Sequence, residues 1–308
     1  MKLALDRFAL GQVLTRLANA GPDEALRLVP QRAPGQFARR IGITGAPGAG
    51  KSTLTGHLAL LRAALRRVGV LAVDPGSPRS GGAILGDRIR MDELAGAEDL
   101  YIRSLGSRSA ADGLSDSLPE MLDAMDSFDF DEVLLETVGV GQSEVAARHL
   151  ADTLVLVLLP ESGDVVQAMK AGIMEMADIY VINKADLPGA QRMATDIKRI
   201  AALSRHAPGA WRPRILMCSD RQPESIQSLS EAIDAHQAWL DTQNDRAERE
   251  AQRARYRLRR QIERRTARVL DSLNADFFEQ PLNAQLERLL DELRNTVHNP
   301  SSSSSRAS

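Results

Sequence analysis

Cysteine is almost missing. The 308-residue chain carries one, Cys218, so no disulfide can close within it and a reducing compartment is expected. Aromatic residues reach only 4%, too few to suggest a stacking surface for bases. Charge of one sign is missing too: 39 Lys and Arg against 41 Asp and Glu leave a formal net charge of -2, which gives no overall pull toward nucleic acid or an anionic membrane. No apolar run is long enough to span a bilayer, and Met1 to Leu5 is interrupted by Asp6 and Arg7 before it could form a signal-type hydrophobic segment. These absences predict a cytoplasmic location and exclude membrane and nucleic-acid partners. The length suffices for one α/β domain with smaller appendages.

What is present centres on Gly45-Ala46-Pro47-Gly48-Ala49-Gly50-Lys51-Ser52, which fits the pattern G-x-x-x-x-G-K-[ST] at every fixed position. Its setting fits as well. Residues 38–44 read as a short buried strand, and Ser52 to Arg67 carries Leu54, Leu58, Leu61 and Leu65 at helical spacing. Glycines let the backbone N–H groups wrap closely around phosphates, and a helix N-terminus adds partial positive charge. In such a loop Lys51 reaches the β- and γ-phosphates, the Ser52 hydroxyl sits on Mg²⁺, and Thr53 follows in the first helical turn.

Beyond the loop, runs rich in Val, Ile and Leu alternate with helical stretches: Val68 to Val73, Leu100 to Arg103, Glu132 to Glu136, Leu154 to Leu159, Ile179 to Ile182 and Ile215 to Cys218. This alternation predicts an α/β fold with a mostly parallel central sheet flanked by helices. Ligands of such sheets bind at the carboxyl ends of the strands. The polar clusters fall there: Asp74 after the second strand, Glu136 to Gly139 after the fourth, Asn183 to Asp186 after the sixth. The expected organisation is an N-terminal helical arm over 1–36, a nucleotide-binding domain over 37–241, a helical extension over 242–300 and a disordered tail over 301–308.

Asp186 selects the base. A carboxylate has two acceptor oxygens that match the paired N1–H and N2–H donors of guanine, and adenine offers no such pair. The other reading, a helix cap in Asp186-Leu187-Pro188-Gly189, is also good turn chemistry. With Asn183 and Lys184 before it, the sequence favours GTP and GDP. A further base contact is expected at Ser219, Asp220 and Arg221, after the last strand. For Mg²⁺, Glu136 stands opposite Ser52, with Asp74 and Asp87 as additional candidates, while Gly139 supplies an N–H that can sense the γ-phosphate. Val140 follows Gly139, where a Ras-like GTPase carries the Gln that orients the attacking water. Slow hydrolysis by the isolated chain is therefore expected, with Gln142 or a partner supplying what Val140 lacks.

The C-terminal extension reads as a long arginine-rich helix over 246–273, with Leu258, Ile262, Val269, Leu270 and Leu273 toward one side. A second helix follows Pro281, with Leu282, Leu286, Leu289, Leu290, Leu293 and Val297. An exposed apolar stripe of this kind favours a homodimer. The arginines alternate with Glu248, Glu250 and Glu263, which reads as a solvated face.

With these residues in hand, the chain resembles the MeaB/ArgK family of P-loop GTPases, closely over residues 41–219 and in outline beyond. The stretches that carry the resemblance are Gly81 to Met91, Glu136 to Glu144 and Asn183 to Asp186. The resemblance implies a GTPase chaperone for adenosylcobalamin-dependent acyl-CoA mutases, chiefly methylmalonyl-CoA mutase, in which GTP hydrolysis gates cofactor loading from a cobalamin adenosyltransferase and protects the mutase. It also implies dimerisation through the C-terminal helices, and it places a coupling switch at residues 163–170, with Gln167 and Lys170 at its polar positions. Gly76, Ser109 and Asp220 depart from the family pattern. A nickel-insertion GTPase shares the fold but needs clustered Cys or His, and His57, His149, His206, His236 and His298 are scattered. A transport-system kinase needs a carboxylate base beside an acceptor hydroxyl, for which no local motif stands out.

Overall fold

Each central strand alternates its side chains between two faces, and both faces are apolar, so the sheet must be covered on both sides. The computed structural model describes residues 4–30, 37–75, 98–107, 117–137, 142–160, 173–203 and 209–298. Its strands are β1 (Arg39–Thr44), β2 (Val68–Pro75), β3 (Leu100–Ser107), β4 (Glu132–Glu136), β5 (Thr153–Leu158), β6 (Ile179–Ile182) and β7 (Arg214–Met217). They pair in the order β3-β2-β4-β1-β5-β6-β7, every described pair being parallel. β3 runs four residues further than its apolar run suggested, because it pairs with β2 through Pro75 and Ser107.

Helices α1 (Arg7–Asn19), α2 (Pro22–Leu28), α3 (Lys51–Ala63), α4 (Leu118–Ser127), α5 (Gln142–Leu150), α6 (Ala190–Leu203) and α7 (Pro223–Thr242) form the outer layers. On one face Ile41, Ile43, Leu134, Val155 and Val157 pack with Leu54 and Leu58 of α3 and Leu229 and Ile233 of α7. On the other, Leu71, Val133 and Leu135 meet Met121 and Leu122 of α4, and Leu10, Leu14 and Leu17 of α1 close that layer from outside. Each of these three leucines is fully buried and contributes about 1.5–3 kcal/mol of apolar transfer. Asp6 caps α1, its carboxylate accepting from Ala9 N at 2.8 Å.

The ends of the strands away from the glycine loop are tied by charge. Arg62 of α3 grips Glu132 at the start of β4 through two hydrogen bonds of 2.6 Å, and it also donates to Ser230 and Asp234 of α7. Arg40 of β1 pairs with Asp126 of α4 at 2.9 Å, both side chains nearly without solvent contact.

The chain ends in α8 (Arg246–Ser272), α9 (Ala275–Phe278) and α10 (Leu282–His298). Here the solvated-face reading of the arginines is corrected. Arg257 meets Asp123 at 2.5 Å, Arg265 meets Asp23 at 2.5 Å, Arg253 pairs with Asp152, and Gln261 donates to Glu120 at 2.7 Å. The arginine face is the docking face, because acids on α2, α4 and the α5–β5 turn wait for it. Tyr256 also stacks on His149, at the end of α5, with ring centroids 5.3 Å apart. The apolar residues Leu258, Ile262, Phe278, Leu282, Leu286 and Leu290 are left more than half exposed.

Candidate nucleotide site

β1 lies between β4 and β5, so the chain leaves the sheet centre at Thr44 with strand ends on both sides. This is the crevice where the connections diverge to the two halves of the sheet. Gly45 has φ 140°, and a Cβ there would lie 2.0 Å from the Val157 carbonyl oxygen at the end of β5. Gly50 has φ 81° and precedes the first residue of α3 in the left-handed region. Only glycine fits both places without strain.

The motifs expected to share a ligand come together here. The Ser52 hydroxyl donates to Glu136 Oε1 at 2.6 Å, and Thr137 donates to Thr44 at 2.9 Å, joining the ends of β1 and β4. Parallel register sets this up, with Ile43 opposite Glu136. Lys51, only 8% exposed, donates from Nζ to the carbonyl oxygens of Gly45 and Ala46 at 2.8 and 3.0 Å. Its ammonium is thereby curled over the loop formed by Ala46, Pro47, Gly48 and Ala49. Asn183 is buried and donates to Ala49 O at 2.8 Å, while Lys184, at φ 52°, reaches Gly48 O at 3.3 Å. Asn183 and Lys184 thus brace the phosphate loop from β6, a role that spacing alone did not reveal.

At the base end, Asp186 accepts from the Ser219 hydroxyl at 2.9 Å and faces Arg221 at 3.4 Å. The Ser219 hydrogen bond, with the nearby positive charges, holds the Asp186 carboxyl below the usual carboxylate range. Ser219 is fully buried and its own N–H donates to Ser225 Oγ. Asp220 is exposed in the turn beyond. Cys218 is buried, which pushes its thiol up to about 12 and leaves it a packing residue.

Asp74 stands at the carboxyl end of β2, two residues past the partner of Glu136. Gln142 opens α5. Asp87, Gly139, Val140, Gln167 and Lys170 lie outside the described residues, as do the 81–91 and 163–170 stretches. The signal that sequence reading passed over is Glu144. It was part of a motif without a role, yet it is 6% exposed in the first turn of α5, and burial pushes its carboxyl up to about 7 against the opposing pull of Lys51. Among the described residues no three His, Cys, Asp or Glu side chains converge as a metal cluster. No helix among them is long and apolar enough to cross a membrane.

Comparison with known proteins agrees with this geometry. The family described as methylmalonyl Co-A mutase-associated GTPase MeaB matches residues 10–275. A putative GTPase of Pyrococcus horikoshii is 41% identical over 221 residues, 69% of this chain and 68% of that one. The mouse protein described as methylmalonic aciduria type A homolog, mitochondrial, is 39% identical over 194 residues, 62% of this chain and 47% of its own length. Among solved structures, an LAO/AO transport system kinase superposes with a TM-score of 0.60 at 25% identity, covering 95% of this chain and all of that one. A phosphate loop braced by Asn183, a hydroxyl–carboxylate pair at Ser52 and Glu136, and a family match spanning both ends of the sheet lead to one assignment: the chain belongs to the MeaB family of P-loop GTPases.

Proposed function

We propose that this GTPase is the nucleotide-driven chaperone of an adenosylcobalamin-dependent acyl-CoA mutase of the methylmalonyl-CoA type, gating cofactor loading from an adenosyltransferase and protecting the loaded enzyme. The observation that carries the reading is the family match over residues 10–275, whose description names association with that mutase. GTP is bound with its phosphates on the 45–52 loop and its base edge on Asp186. The Ser219 hydrogen bond fixes that carboxylate as an acceptor.

The hard oxygens of Ser52 and Glu136, 2.6 Å apart, suit Mg²⁺, which prefers such donors. Asp74 and Asp87 are the further candidates. When bound, the ion neutralises charge on the β- and γ-phosphates. The chain's own residues do the rest. Lys51 turns from the Gly45 and Ala46 carbonyls to the phosphates, and the braces from Asn183 and Lys184 keep the loop in shape. Because Val140 cannot orient water, the free protein turns over GTP near the roughly 10⁻⁴ to 10⁻³ s⁻¹ of unaided Ras, and the mutase accelerates it by ordering the loops around residues 87, 142 and 167–170.

The test is GTP turnover with and without the mutase that co-purifies. Stimulation of the parent, and its loss in a Gln167→Ala, Lys170→Ala double variant of unchanged basal rate, is expected. Equal stimulation of both removes this segment as the switch, and no stimulation of the parent removes the mutase.

The protein acts as a homodimer through the 242–300 extension, whose Leu282, Leu286 and Leu290 form an exposed stripe at i, i+4, i+8 beside Leu258 and Ile262. Cutting the extension away would uncover Glu120 and Asp123, so point changes test this better. Leu286→Asp with Leu290→Asp is expected to convert a dimer to monomer mass in light scattering while GTP binding persists. A variant that stays dimeric places the contact elsewhere.

A further inference from the structure

Glu144 occupies a place that the motifs above leave unassigned. Helix α5 lies along β1 in the opposite direction. Asp152, just past its end, receives the Arg40 N–H at 2.8 Å and returns its own N–H to Arg40 O at 2.7 Å. Further up the strand, a Cβ on Gly42 would lie 3.1 Å from Ala151 Cβ and 3.9 Å from Ala147 Cβ. Glu144, Ala147 and Ala151 are spaced i, i+3, i+7 and share that face. The three residues from Ala147 back to Glu144 span about 4.5 Å of helix, one to two residues of strand at about 3.3 Å each. Glu144 therefore stands level with Ile43 and Thr44, just before Gly45, whose carbonyl receives the Lys51 ammonium.

Two further facts single it out. The residue is only 6% exposed, and among the described residues no hydrogen bond to its carboxyl is seen, whereas Glu136 is engaged by Ser52 and Asp186 by Ser219. Among the described residues, the charge that acts on it is the Lys51 ammonium of α3, which favours its ionised form against burial. A largely desolvated carboxyl without a fixed donor can accept one from a ligand, and such a group near the cation of a phosphate loop is suited to a proton-transfer role.

We propose that Glu144 is the catalytic residue that orients and deprotonates the attacking water in GTP hydrolysis, carrying the slow turnover that the free chain retains without a water-orienting side chain at position 140. The water oxygen bonds to the γ-phosphorus, and the bond from that phosphorus to the β–γ bridging oxygen breaks. GDP leaves with the electron pair, and the water proton passes to the Glu144 carboxylate and then to solvent. The assignment rests on the GTPase reading. It gives α5, which directly follows the 136–141 segment, control of the chemical step, and through the His149–Tyr256 stack at its far end it joins that step to α8.

The experiment is single-turnover hydrolysis of GTP by the full chain with Mg²⁺, alongside affinity for a fluorescent GTP analogue. Glu144→Gln is expected to slow hydrolysis at least tenfold while affinity stays within threefold. Val145→Ala, at the neighbouring exposed position, is expected to leave both unchanged. The carboxylate acts only when ionised, so the parent rate is expected to fall as pH drops from 8 to 6, and the Gln variant's rate to stay flat. Because burial raises this carboxyl from 4.5 to about 7, stability falls as pH rises through that window. The Gln variant is then expected to melt no lower than the parent at pH 8. Should that variant fail to fold, Glu144→Asp withdraws the carboxyl by one methylene. A fivefold or greater loss of rate at unchanged affinity supports the assignment, and an unchanged rate overturns it. Hydrolysis by Glu144→Gln at the parent rate, or an affinity loss that accounts for the whole effect, also overturns it. A parent that binds no GTP at all overturns the GTPase reading beneath it.

Discussion

The two ends of the parallel sheet are built on opposite terms. At the amino ends of the strands, charges are spent on each other: Arg62 with Glu132 and Asp234, Arg40 with Asp126 and Asp123, Arg253 with Asp152. At the carboxyl ends, Lys51 donates to the backbone carbonyls of Gly45 and Ala46, Glu144 has no fixed donor among the described residues, and Asp186 is exposed on the rim. Groups already saturated by the protein cannot respond to a ligand, whereas groups held loosely can exchange their partners for phosphate or base at small cost. Stability is thus concentrated at one end of the strands and chemistry at the other.

Mutations at the two ends should therefore separate cleanly. The largest effect is expected from Arg62→Ala. It leaves Glu132, 3% exposed at its side chain, with the partly exposed Arg66 as its one remaining cation among the described residues, and breaking a buried pair in this way costs about 3–5 kcal/mol. Urea unfolding should show that loss, while the GTP affinity of the folded fraction stays near the parent's. A comparable loss of affinity would mean that the ends are coupled. The smaller effect is expected at the other end. Asp186→Asn should weaken GTP roughly ten- to a hundredfold by loss of a charged acceptor and gain xanthosine triphosphate, whose base edge presents an acceptor in return. The melting temperature should barely move. Unchanged GTP affinity with no gain of the xanthine nucleotide would return Asp186 to the role of a helix cap.

The strands were legible because a sheet buried on both faces demands uninterrupted apolar runs, as in Leu154 to Leu158 and Val133 to Leu135, and little else in a soluble chain produces them. The loop at 45–52 was legible because its glycines are forced by backbone geometry. Helix α8 was misread for a physical reason. A row of arginines looks the same in sequence whether it faces water or a row of acids, and Asp123, Glu120 and Asp23 lie more than a hundred positions away. Glu144 went unassigned on similar grounds. An acid in the first turn of a helix is ordinarily a solvated partner of the helix dipole, and only the packing of α5 on β1 buries this one.

The sequence by itself carried the expectation of a guanine nucleotide: Gly45 to Ser52 and Asn183 to Asp186 are contiguous motifs whose backbone and side-chain chemistry is local, so they can be read without a fold. The tertiary structure decided what lies next to what. It placed β1 between β4 and β5, so that the Ser52 hydroxyl meets Glu136 and Asn183 braces Ala49. It turned the arginines of α8 inward and brought Glu144 to the level of Lys51. These are contacts between segments far apart in the chain, set by the order and register of parallel strands, and strand order depends on the summed packing of every helix on the sheet, which no short stretch of residues carries.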